Sequence, residues 1–157
     1  MKHPFKLVYI GISVLFFGVL FANAEHVIED SKNTGYLFII SGTSGSLDGD
    51  KLTLNGVPNG IYFSDRPARK AGHLSVSEFI EMWDKGVDSF KADPPNATLS
   101  VLKEDEARHV VVELTGVEQK KDSVVFKVVL LEGKGIESFE ASSLFIDIIM
   151  TGGGPGP

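Results

Sequence analysis

Only one segment of this chain carries a helical pattern, while its other apolar runs are short, rich in β-branched or aromatic residues and punctuated by turn-formers. That combination restricts the fold to a β-rich domain with a single helix. In the helical segment Val76, Phe79, Ile80 and Trp83 recur at three-and-four spacing, with Glu78, Glu81, Asp84 and Lys85 mostly on the other side. Ser75-Val76-Ser77-Glu78 spells a capping box, and Leu74 and Phe79 stand at the positions of a hydrophobic staple. Gly86 supplies the C-terminal stop. A helix of about ten residues is marginal alone, so its aromatic face must dock on an apolar sheet.

The strands follow from the remaining runs. Residues 35–41 are apolar on both parities, which predicts a strand covered on both faces. Residues 42–46 are a Gly-rich break, without the Gly-Lys-Ser/Thr ending of a phosphate loop. Asp48-Gly49 turns a hairpin. Asp48 and Asp50 also spell half of a calcium loop, but its later carboxylates are missing. Further strands are expected at 51–54, 61–64, 97–102, 109–115, 123–131 and 143–150, with a solvated turn at 103–106 and a polar loop at 116–122. The expected fold is mainly β: an antiparallel β-sandwich or open barrel of about seven strands, its one short α-helix covering an end or an open edge.

Residues 1–24 read as a cleaved signal peptide. Lys2 and Lys6 make a basic start, 7–21 is an apolar run, and Ala22-Asn23-Ala24 is a cleavage site. The run is shorter than the roughly 20 residues that span a bilayer, so no membrane span is expected after cleavage. This predicts export, to the periplasm or beyond. Residues 25–150 then form a single β-rich domain, and 151–157 a flexible Gly/Pro tail. The chain has no Cys, so its core alone must hold the exported fold. With 15 Lys and Arg against 21 Asp and Glu, the net charge is −6, and loss of Lys2 and Lys6 makes it more acidic. An acidic chain without a basic stripe is not built for nucleic acid.

The polar cluster most in need of explanation is the strand-to-helix connection. Pro67 turns Arg66 away from helical geometry and ends the ladder there. Asp65, Arg66, Arg69, Lys70 and His73 crowd the connection, and Asp93-Pro94-Pro95-Asn96 is a stiff return segment. Two Arg, an Asp and a His on a rigid loop suit an anionic or sugar-like ligand. The structural alternative is that Asp65 caps its own turn and Arg66 or Arg69 pairs with a carboxylate of the return segment. The candidate site or its frame is Asp65, Arg66, Arg69, His73, Trp83 and Asn96, with Trp83 reading first as core because it completes the helix stripe.

Other chemistry lacks a pattern. His26, His73 and His109 have no paired ligand spacing, so neither a metal site nor a cofactor is predicted. Without Cys or a Gly-x-Ser-x-Gly elbow, no catalytic nucleophile stands out. At Phe63-Ser-Asp-Arg-Pro-x-Arg-x-Ala-Gly72, Phe79-x-x-x-Trp83, Ser89-Phe90, Asp93-Pro-Pro-Asn-Ala97 and the final Gly-Pro-Gly-Pro, the chain resembles a group of small uncharacterised exported bacterial proteins. The resemblance implies that the central stretch is one unit, and implies no activity. The leading functional expectation is a non-catalytic binding or interaction module for a small ligand or an envelope or protein partner. The alternatives are a small cell-envelope or carbohydrate-directed hydrolase, with Asp65 and His73 as acid-base candidates, and a structural subunit assembling through a sheet edge.

Overall fold

The computed structural model describes residues 33–85, 89–102 and 107–151. The expected leader, the Gly86 helix stop, the turn at 103–106 and the tail after 151 lie outside the described residues. Ten strands and one helix follow in the order β1 (Asn33–Gly42), β2 (Ser44–Asp48), β3 (Lys51–Asn55), β4 (Asn59–Ser64), β5 (Ala71–Ser75), α1 (Val76–Met82), β6 (Asn96–Leu102), β7 (Ala107–Lys120), β8 (Ser123–Glu132), β9 (Ile136–Phe139) and β10 (Ser142–Thr151). All pair antiparallel in one sheet of order β5-β4-β1-β10-β6-β7-β8-β3-β2-β9. The protein is therefore mainly β and antiparallel with one short helix, as expected, and its strands form one continuous ten-stranded sheet rather than about seven strands.

Three strands escaped the pattern of apolar runs. Residues 42–46 read as a Gly-rich break, yet only Thr43 interrupts the chain before β2, where it donates its N–H to the Asn55 carbonyl at 2.9 Å. Gly45 serves close packing there: a Cβ would strike the Thr53 carbonyl and the Phe139 ring. β5 contains no β-branched residue and takes its register from β4, with Phe63 opposite Ala71 and Ile61 opposite His73. β9 has four residues and buries only Ile136 and Phe139. Conversely, β7 does not stop at Thr115. It shifts register between Leu114 and Gly116 and continues beside β8 to Lys120, through residues that read as a polar loop.

One apolar cluster takes buried residues from the helix and nine strands, with Tyr62 of β4 packed against it, so the sheet has a single core. Its centre is aromatic. Phe38 of β1, Phe79 and Trp83 from the helix side, Phe90 of the return segment and Phe126 of β8 have ring centroids 5.2–6.5 Å apart wherever they pair. The helix begins as its sequence predicts. Ser75 Oγ accepts from the Glu78 amide at 3.2 Å, and the Glu78 carboxylate accepts from the Ser75 amide at 2.6 Å. It is shorter than expected, ending at Met82 with Trp83 as its C-cap. The Trp83 carbonyl then accepts from the Lys91 amide at 3.2 Å, so the return segment caps the helix and delivers Phe90 to the core.

Candidate functional site

The predicted strand-to-helix connection is a β4–β5 hairpin. Ser64 N–H donates to the Lys70 carbonyl at 2.8 Å, and Lys70 N–H donates to Ser64 Oγ at 2.6 Å. Inside that frame Arg69 N–H reaches the Asp65 carbonyl at 3.1 Å, with Arg69 in the left-handed region at φ 50°. Asp65 N–H donates to the Gly35 carbonyl at 2.9 Å, which ties the turn to β1, and the Asp65 carboxylate lies over Gly35 where a Cβ would stand.

The six candidate side chains fall into three places. Asp65, Arg66 and Arg69 are exposed on the turn, and His73 is exposed on β5. Among the described residues none of these four makes a side-chain hydrogen bond or an ion pair, so neither arginine clamps the return segment. Trp83 is buried in the aromatic cluster. Asn96 opens β6 opposite Glu113 and is exposed. The return segment anchors through its backbone instead: Leu114 N–H donates to the Pro95 carbonyl at 2.9 Å, and Ala92 and Asp93 N–H reach the Ser89 carbonyl. Among the described residues no three His, Asp or Glu side chains converge as metal ligands, and no helix is long and apolar enough to cross a membrane.

The turn borders a feature that the sequence signalled under another meaning. On β1, Tyr36, Phe38 and Ile40 point into the core, while Leu37 and Ile39 point outward. Among the described residues the expected cover of β1 is met on one face only, and nothing covers the second. Its neighbours repeat the pattern. Leu37 lies between Phe63 of β4 and Asp147 of β10, and Ile39 lies between Ile61 and Phe145. Gly35 faces Ile149. Leu37, Ile61, Phe63, Phe145 and Ile149 are 37, 36, 46, 36 and 65% exposed. Together they form a contiguous exposed apolar patch, the kind of feature that marks an interaction surface. Asp65, Arg66, Arg69 and His73 stand at its β4–β5 border. Ser41 and Ser143, joined Oγ to Oγ at 2.8 Å, close one end, and Asp147 interrupts it on β10. Such a face can bury apolar surface against a partner and select that partner by charge at its border.

Comparison with known proteins gives no match: neither a family model, nor a curated protein, nor a solved structure is similar to the chain.

Proposed function

We propose that this chain is an exported, non-catalytic interaction module that pairs with a second copy of itself through the outer face of β4, β1 and β10. One observation carries the proposal: β1 and β10 present large apolar side chains on both parities, and only one parity meets the core. Among the described residues the other lacks a cover. A twofold axis along β1 lays β4 of one copy over β10 of the other, and β5 over β6. The basic turn of Arg66 and Arg69, with His73 beside it, then approaches the acidic Asp147 side, so the border charges are self-complementary. On this account the site residues on the hairpin frame an interface, and Trp83 holds the sheet beneath it. The β-sandwich or open-barrel description is retained as the shape of the sheet around its single core, supported by the cluster that unites nine strands and is joined by Tyr62 of the tenth. Export rests on the leader pattern of residues 1–24.

The test uses the absence of Cys. In a Leu37→Cys variant, a short bis-maleimide should join two copies efficiently, while a Lys85→Cys variant, at an exposed position just after the helix, should remain mostly uncoupled. Equal coupling of the two variants, or none in either, overturns the proposal.

A further inference from the structure

Lys51 on β3 and Lys127 on β8 are direct cross-strand partners, and both are exposed. Like charges directly opposite one another weaken a sheet. Among the described residues neither ammonium has an ion-pair partner. On the other side of Lys127 stands Gly116 of β7, where an added Cβ would meet only the Lys127 Cβ, 3.5 Å away. This row thus holds two cations and then a gap. The adjacent row is Thr53, Val125 and Glu118. Val125 shares the outward parity of Lys127 yet is only 7% exposed.

Along these rows lies a hollow of about 340 Å³ lined by Asp50, Lys51, Gly116, Val117, Glu118, Val125, Phe126 and Lys127. The β7 register shift between Leu114 and Gly116 sets its shape, and Thr115 is held there by donating its hydroxyl to the Lys127 carbonyl at 3.1 Å. Bulges of this kind re-aim side chains beside binding sites. Glu118 is already engaged by Lys120 at 2.7 Å, which leaves Asp50 as the one other acid on the lining. The two lysines of the lining thus face one acid, Asp50, that has no ion-pair partner among the described residues.

We infer that this hollow binds a small amphipathic carboxylate, its tail along Val125 over the gap at Gly116 and its headgroup bridging Lys51 and Lys127. A bridging anion converts the lysine repulsion into two charge-assisted hydrogen bonds. The volume suits a small ligand, being near the lower end of ordinary pockets of about 300–1,000 Å³. At about 30 Å³ per water-sized group it takes roughly ten such groups, close to the size of octanoate. The competing account is that the lysine stems merely shelter Val125, with their heads in water.

Calorimetric titration of the protein with octanoate and with octanol separates the two. Octanoate should bind saturably at one site per chain, and octanol at least about tenfold more weakly, because it brings no charge to the lysines. The Lys51→Gln/Lys127→Gln variant should lose at least about tenfold in octanoate affinity, while Lys134→Gln, away from the hollow, should match wild type. Gly116→Leu should abolish binding by filling the gap; if that variant does not fold, the glutamine pair, which alters only exposed side chains, carries the test. Lack of saturable octanoate binding, equal affinity for octanol, or an unchanged affinity in the glutamine pair overturns the inference. The hollow is on β3, β7 and β8, so its result is independent of self-association through β4, β1 and β10.

Discussion

At the scale of single residues, Ser75 and Glu78 show how a local pattern becomes a boundary. Their reciprocal hydrogen bonds fix where β5 ends and α1 begins. Ser75→Ala should cost about 1 kcal/mol in denaturant unfolding, the usual effect of losing a cap. The side-chain hydrogen bond from Ser75, then the one from its backbone amide, hold the Glu78 carboxyl below its ordinary value. Because the folded pKa is the lower one, this contribution is complete above the unfolded carboxylate value and is lost as pH falls through the folded value. Carboxyl-detected NMR titration should place the Glu78 midpoint below that of exposed glutamates, and Ser75→Ala should return it toward them. Gly45 follows a different physics, its missing Cβ making room for Phe139 and the Thr53 carbonyl. Gly45→Ala should therefore lower the thermal midpoint by several degrees, because a backbone oxygen cannot move aside as a side chain can.

Among the elements, α1 matters through what it inserts. Seven helical residues are too few to persist in water, so Phe79 and Trp83 hold the helix by packing on Phe38, Phe90 and Phe126. Phe79→Ala or Trp83→Ala should cost about 3–5 kcal/mol in chemical denaturation, with far-UV and near-UV signals lost together. This element was legible because its apolar period and its cap agree. The cores of β3, β4, β6, β7, β8 and β10 were legible for a similar reason, each being an apolar run bounded by turn chemistry. β2, β5 and β9 were not, since Ser44-Gly-Ser, Ala71-Gly-His and Ile136-Glu-Ser take strand geometry from neighbours rather than from their own side chains. The continuation of β7 through Gly116 was hidden by its bulge, since a register shift breaks the alternation by which a strand is recognised. In the candidate site, the exposed charged turn was legible from its residue types. Its separation from Trp83 and Asn96 was not, because strand order decides which loops meet.

For the molecule as a whole, the two apolar parities of 35–41 are the decisive feature. In sequence they read as burial on both faces; in the fold, one face meets the core and the other forms an open surface flanked by the charged hairpin. Self-association reconciles the two, and it predicts that the face tolerates apolar exchange but not charge. Phe63→Glu with Ile149→Glu should leave the folded protomer intact, since both side chains are substantially exposed, while removing the driving force for pairing. Sedimentation velocity over a concentration series tests this most directly. The account predicts a reversible dimer for the wild type and a monomer of unchanged circular dichroism for the double variant; a wild type that stays monomeric throughout, or a double variant that dimerises equally well, would contradict it.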